Sequence, residues 1–291
     1  MIETAKETLF DAHLHLWDPD RISMSWMDDA PALNRAFLAS ELKSELGPHA
    51  RRFAGAVLVE SAVDDLSLDR ELEWIASQLE SSDPVRVAVA GWRPRSGIAD
   101  VLRRLDALDT VPGVVGVRQV MHPSSCTSSA LLEDDHVRSV RLAGDRGYLV
   151  ELCVRPDQLE AAIELVDRSP GTRFVLDHLG RPRTMRPLDH GWADSMARLS
   201  DRPRLTTKLS ALIECGEGSD LNLEDFQPFV KTALGRFGDQ RVMWGSNWPV
   251  CFTHGSLSEW IDVSDRLLGD RSPDQRAAIL GGNARRIYGI S

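Results

Sequence analysis

Eight short runs rich in β-branched and apolar residues recur along the chain, with helical segments between them. They are LFDAHLHLW from Leu9, FAGAVLVESA from Phe53, RVAVAGWR from Arg86, GVVGVRQV from Gly113, GYLVELCV from Gly147, TRFVLDHLG from Thr172, RLTTKLSAL from Arg204 and RVMWGSNWP from Arg241. Successive starts lie 25 to 44 residues apart, and one strand plus its crossover helix takes roughly 30 residues. Strands separated by helices pair in parallel, because only a crossover returns the chain in the same direction. The expectation is an α/β protein, a single (β/α)8 barrel spanning residues 1–291 as one domain. An open doubly wound sheet is the weaker alternative, since no G-x-G-x-x-G turn follows the first run.

The intervening segments carry the period of amphipathic helices. DDLSLDRELEWIASQLE sets Leu68, Leu72, Ile75 and Leu79 on one stripe, with Asp64 and Asp65 suited to a helix start. RPDQLEAAIELVDRS repeats this with Leu159, Ile163 and Val166, and Pro156 sits near its first turn. SPDQRAAILGGNARRIYG reads as a final helix pair broken at Gly281-Gly282. The long stretch after the first run, containing PDRISMSWMDDAPALNR, is expected to be a loop over the barrel mouth.

Composition narrows the partners. With 34 Lys+Arg against 44 Asp+Glu, the net charge of −10 argues against a nucleic-acid binder. It leaves an anionic small molecule open, because a few local arginines can dominate a small site. No window approaches the roughly 18 apolar residues of a membrane span, and the N-terminal segment lacks the apolar core of a signal peptide. Cys126, Cys153, Cys215 and Cys251 are far apart and form no CxxC pair, which suits unpaired thiols in a reducing compartment. A cytoplasmic enzyme acting on a small molecule is expected, with neither nucleic acid nor membrane as partner. No motif decides the subunit count, so a homo-oligomer stays open.

In such a barrel the chemistry sits at the C-terminal ends of the strands. The runs end in His13 and His15, Glu60, Trp92 and Arg93, Arg118, Glu151, His178, Lys208 and Asn247. Residues i and i+2 of a strand share a face, so His13 and His15 point the same way. Two neutral imidazoles so placed can chelate Zn²⁺. A lone His-x-His is equally an ordinary polar strand end, and it is the later His178 that favours a site. Asp177 is expected to face away from the lumen, to orient a loop or to cap a helix. In WGSNWP, Gly245 permits close backbone approach, and Trp248 and Pro249 either wall a pocket or form a tight turn.

DAHLHLWDP at 11–19, VLVES at 57–61, GVRQV at 116–120, DHLGRP at 177–182, KLSAL at 208–212 and RVMWGSNWPV at 241–250 follow one another along almost the whole chain. Together they resemble the amidohydrolase superfamily, in the branch of metal-dependent lactonases that includes L-fuconolactonase and 2-pyrone-4,6-dicarboxylate lactonase. The resemblance implies a (β/α)8 barrel that hydrolyses small lactones at one mononuclear site, with one divalent metal, Zn or Mn. It implies His13, His15 and His178 as metal ligands and places Glu60, Arg118 and Glu151 among the site-lining residues. Asn247 stands where the family usually has an Asp that binds metal and serves as general base.

Two departures bear on mechanism. The fourth strand ends in Arg118 rather than the Lys that binuclear members carboxylate, and the fifth offers Glu151 rather than His, so a binuclear centre is not expected. Asn247 has no titratable proton near neutral pH, which shifts the base role to His178, Glu60 or Glu151, or leaves a metal hydroxide unaided. Operation without metal, as in some branch members, stays open. Asn247, His178 and Arg118 are the expected catalytic residues. Glu60, Arg118, Glu151, Trp17, Lys208 and Trp248 are the expected substrate contacts, Trp17 by stacking on a sugar ring or, equally, as part of the wall or core. Arg118, Arg93 and Lys208 each have a plainer reading as partners of neighbouring protein groups. His122, His190 and His254 lie in loops and are expected to be exposed bystanders. The expected substrate is a small lactone or carboxylic acid. The alternatives are another superfamily hydrolysis, a decarboxylation, or a binding protein that lost hydrolysis through Asn247.

Overall fold

The computed structural model describes residues 7–81, 83–183, 188–215 and 223–290. Eight strands form one sheet in sequence order: β1 (Leu9–Leu14), β2 (Phe53–Val59), β3 (Val85–Gly91), β4 (Val114–Val120), β5 (Leu149–Cys153), β6 (Arg173–Leu176), β7 (Leu205–Leu209) and β8 (Val242–Trp244). Every neighbouring pair is parallel. Helices α1 (Ala39–Glu45), α2 (Leu68–Ser81), α3 (Ile98–Asp109), α4 (Asp134–Asp145), α5 (Leu159–Arg168), α6 (His190–Ser200), α7 (Leu223–Phe237) and α8 (Leu257–Leu267) alternate with them. The sheet curls until β1 meets the chain just past β8, giving the expected (β/α)8 barrel. At that seam the Asn247 N–H donates to the His13 carbonyl at 2.8 Å, and the His15 N–H to the Trp248 carbonyl at 2.8 Å. Gly245 makes the approach feasible: a Cβ there would lie 2.8 Å from the His13 Cβ.

The lumen has an apolar floor. Phe10, Ala12, Val57, Val59, Val89, Val175 and Met243 form a cluster of their own, and Ala284 and Tyr288 from the C-terminal segment pack against it. Burying such a side chain contributes roughly 1.5–3 kcal/mol. Strict alternation would keep His13 out of a lumen that already holds Phe10 and Ala12. The β1–β2 register shifts on both sides of Asp11. The Asp11 carboxylate accepts the His13 and Ser246 N–H groups at 2.9 Å each, and this irregularity brings His13 inward above the apolar floor.

One helix expectation holds and one changes. Asp64 and Asp65 do open the helical segment, Asp64 as N-cap of a 3₁₀ turn over Asp65–Ser67 that runs into α2 at Leu68, though the Asp64 side chain caps nothing there. Asp64 instead accepts the Ser25 N–H at 3.0 Å, tying the loop after β2 to the long first loop. The C-terminal segment does not break at Gly281-Gly282. A π-turn over Ala278–Gly282 joins Pro273–Ala277 to Asn283–Ile287, where Gly281 lets the turn rest against the Phe10 backbone. Cys126, Cys153 and Cys251 are free. Among the described residues no helix is long and apolar enough to cross a membrane.

Candidate active site

The strand ends converge above the floor. His15 Nδ1 lies 2.9 Å from the Val59 carbonyl. A carbonyl only accepts, so this nitrogen carries the proton and Nε2 keeps its lone pair. His15 Nε2 is 3.1 Å from His13 Nε2 and 3.3 Å from Asn247 Oδ1. The His178 ring sits 4.5 Å from the His13 ring, and its Nδ1 lies 2.8 Å from the Ser210 hydroxyl. Ligand atoms of His13, Asp177 and His178 all lie within 4.8 Å of one another. Burial, with the nearby positive charges, depresses all three imidazoles: His15 to about 3, and His13 and His178 well below the usual histidine value. They are therefore neutral at physiological pH, the state in which imidazole binds metal.

Beneath and beside them runs a buried ionic array. Arg118 donates from Nε to Glu60 Oε1 at 2.6 Å, from Nη2 to the Glu60 carbonyl at 2.7 Å and from Nη1 to Asp177 Oδ2 at 3.1 Å. Its Nη1 is also 3.0 Å from His13 Nε2. Lys208 Nζ sits 2.6 Å from Glu151 Oε2, 3.0 Å from His13 Nδ1 and 3.1 Å from Asp177 Oδ1. The second Glu151 oxygen accepts the Tyr288 hydroxyl, and the second Glu60 oxygen accepts the Ala62 N–H at 2.7 Å. Burial and the Asp177 charge raise the Glu151 carboxyl to about 7 against the pull of Lys208. Burial also opposes ionisation of Asp177, yet Lys208, His13 and Arg118 hold it well below the usual carboxylate range.

These bonds revise several expectations. Arg118, Lys208, Glu151 and Glu60 are brought to the site, but their polar atoms are committed to protein partners rather than offered to a substrate. Asp177 does not face away from the lumen; it bridges Arg118 and Lys208. The left-handed backbone at His178 and Leu179 (φ 56° and 53°) breaks the strand alternation that would separate the two side chains. Trp17 donates its indole N–H to the Arg35 carbonyl at 2.9 Å and packs on Phe37 and Trp26. Trp248 is buried against Phe37 and Phe252. Both tryptophans are wall rather than open stacking platforms. Arg93 is tied to Asp65 and the Val63 carbonyl at 2.5 and 2.6 Å. His190 is exposed but opens helix α6 rather than lying in a loop, whereas the loop residues His122 and His254 are half-buried. Burial, with Arg181, Arg118 and Arg155 nearby, lowers His122 to about 3.

Three residues of the site carry no expectation from the sequence: Ser210, Tyr288 and Glu214. Glu214, in the turn Ile213–Cys215 after β7, accepts the Asn247 side-chain N–H at 2.5 Å through Oε2. This contact fixes which end of the amide faces His15. Burial raises the Glu214 carboxyl to about 8, with Arg181 and Asn247 opposing. The one sequence signal was a charged residue set in the apolar stretch ALIEC.

A closed parallel barrel with neutral histidines and an ionic lumen at its strand ends defines a barrel enzyme with one polar centre. A family model described as amidohydrolase matches residues 10–290, and the chain belongs to that family. An L-fucono-1,5-lactonase from Burkholderia ambifaria is 28% identical, the alignment covering 96% of this chain and 95% of that protein. An amidohydrolase from Burkholderia multivorans, crystallised with bound zinc, superposes with a TM-score of 0.84 at 23% identity, covering 98% of this chain and 100% of that one. A probable 2-pyrone-4,6-dicarboxylic acid hydrolase from Acinetobacter baumannii gives a TM-score of 0.77 at 18% identity, covering 97% of this chain and 99% of that one.

Proposed function

We propose that the protein hydrolyses a small lactone, water attacking the ring ester carbonyl at the barrel mouth. The L-fucono-1,5-lactonase relative favours a 1,5-lactone of a sugar acid over a pyrone. The observation that carries the reading is the unprotonated His15 Nε2 facing His13 Nε2 at 3.1 Å.

That spacing fits a shared cation. Two nitrogens bound to one tetrahedral Zn²⁺ at about 2.0–2.1 Å sit roughly 3.3 Å apart. The surrounding charges permit it, since Arg118 and Lys208 are offset by Glu60, Asp177 and Glu151. His13, Asp177 and His178, whose ligand atoms come within 4.8 Å of one another, would hold the ion, Zn²⁺ or Mn²⁺, with His15 beside His13 as a further ligand. When bound, it polarises the ester carbonyl and acidifies water.

The chain's own residues do the rest. Val59 and Ser210 orient His15 and His178, as outer partners of ligating histidines commonly do. Asp177 and Lys208 flank His13. Asn247, held by Glu214, presents a carbonyl oxygen that accepts a hydrogen bond from the attacking water. Trp17 and Trp248 close the wall and keep bulk water from the ester. Arg118, pinned by two carboxylates, supplies fixed positive charge near the oxyanion rather than a mobile clamp.

The test is a panel of L-fucono-1,5-lactone, other aldonolactones and muconolactones, with acid release followed by a pH indicator after chelation and after adding Zn²⁺ or Mn²⁺. Turnover of a 1,5-lactone is expected. Ligand binding without turnover of any lactone would replace this reading with a binding protein.

A further inference from the structure

Position 247 holds an amide, which cannot take a proton, so proton transfer at the attacking water falls to another group. Four acids surround the histidines and Asn247: Glu60, Glu151, Asp177 and Glu214. Both Glu60 oxygens are taken, one by Arg118 and one by the Ala62 N–H. Both Glu151 oxygens are taken, by Lys208 and Tyr288. Asp177 is locked between Arg118 and Lys208 at 3.1 Å each. Near the site two other buried carboxylate oxygens, on Asp177 and Asp11, also accept no hydrogen bond, but Asp177 Oδ1 is ion-paired with Lys208 and Asp11 holds the backbone N–H groups of His13 and Ser246. Glu214 differs in that Oε2 holds the Asn247 side chain at 2.5 Å while Oε1 is buried with no hydrogen-bond partner. A buried unpartnered carboxylate oxygen is costly, and such costs gather at working sites.

We propose that Glu214 supplies the carboxylate that position 247 lacks: its Oε1 takes a proton from the attacking water and returns it to the departing ring oxygen. This rests on the lactonase reading. The water oxygen bonds to the carbonyl carbon as its proton passes to Glu214. The tetrahedral adduct then breaks its bond to the ring oxygen, which leaves with the proton that Glu214 gives back. The product is the open hydroxy acid and the carboxylate is regenerated, with no redox partner or co-reactant besides water.

The surroundings suit the task. Glu214 faces Asn247 from the β8 loop, Arg181 from the β6 loop and Cys251 from the turn at Val250–Thr253. Burial lifts its carboxyl to about 8, a stronger base than a solvated glutamate and one tuned near the working pH. Holding Asn247 with one oxygen leaves the other beside the group that orients the water.

The experiment measures kcat, KM and their pH dependence for L-fucono-1,5-lactone with wild type, Glu214→Gln, Glu214→Asp and the double variant Glu214→Gln/Asn247→Asp. Gln keeps the size of the side chain and an acceptor for Asn247, but cannot take a proton. The expected result is a kcat loss of roughly 10²–10⁴-fold in Glu214→Gln with KM little changed. The limb on which kcat rises with pH should vanish, Asp should recover part of the rate, and the double variant should regain at least about tenfold, since an acid then stands at 247. Glu214→Gln with wild-type kcat and an unchanged pH limb would overturn the proposal. So would a variant whose KM rises while the limb persists, because Glu214 would then only orient Asn247. A wild type inert toward every lactone would sink the lactonase reading first and this role with it.

Discussion

The backbone N–H of Asn247 donates to the carbonyl of His13 at 2.8 Å, so the bond that closes the barrel joins two residues of the site. Chain closure and site assembly are thus one event. Gly245, two residues earlier, sets the spacing. Gly245→Ala should cost on the order of 1–3 kcal/mol by overpacking and lower kcat more than about tenfold, read from urea midpoints and kinetics on one preparation. Wild-type values for both would show that the seam tolerates slack.

Lys208 is buried among three partners, so Lys208→Met should act on stability. Removing one member of a buried ionic array typically costs about 3–5 kcal/mol. Here it strands Glu151 and leaves Asp177 with Arg118 alone among its cationic side chains. The expected result is a large drop in the thermal midpoint with KM close to wild type in the fraction that folds. An unchanged midpoint with a raised KM would mean that Lys208 contacts substrate after all.

Tyr288 reaches from the C-terminal segment to Glu151 in the lumen. Tyr288→Phe keeps the ring that seals the floor but strips one Glu151 oxygen of its donor. A loss of about 1–3 kcal/mol is expected, with kcat nearly unchanged because the floor lies away from the histidines. If unfolding shows no difference, the hydroxyl contributes nothing there.

The depressed histidines set a pH window. His15 binds its proton near pH 3 when folded but near the usual 6.5 when unfolded. Between those values the unfolded chain holds more protons, so stability rises with pH. The His15 contribution should be complete above about 6.5 and fall away as pH drops toward 3. His15→Ala removes this dependence, whereas buried acids such as Glu151, raised by burial, act in the opposite sense in both proteins. The difference between the wild-type and His15→Ala urea profiles, taken from pH 7 to 4, isolates the term. Parallel profiles would show that His15 titrates normally.

The barrel was readable because strands buried on both faces spell continuous apolar runs, with amphipathic helices between them. Strand alternation put His13 and His15 on one face, but that the face is the lumen depends on the register shifts around Asp11. What escaped depended on backbone exceptions and on partners distant in sequence. Asp177 turns inward only because His178 and Leu179 adopt left-handed conformations that no local pattern announces. Lys208 lies next to the end of β7 and Arg118 two residues short of the end of β4, but Glu60, Asp177 and Glu151, which claim their hydrogen bonds, come from other strands or the residues just after them and meet them only across the closed sheet. Glu214 lies in a turn without periodicity, and its meaning depends on Asn247, 33 residues later.

The most direct measurement is acid release from L-fucono-1,5-lactone by wild type, His13→Ala and His15→Ala, each confirmed folded by circular dichroism. One proton released for each lactone opened by wild type is expected, with rates lower by at least about 10²-fold in both variants. Equal rates in all three proteins, or no release by wild type with or without Zn²⁺ or Mn²⁺, would contradict lactone hydrolysis at this site.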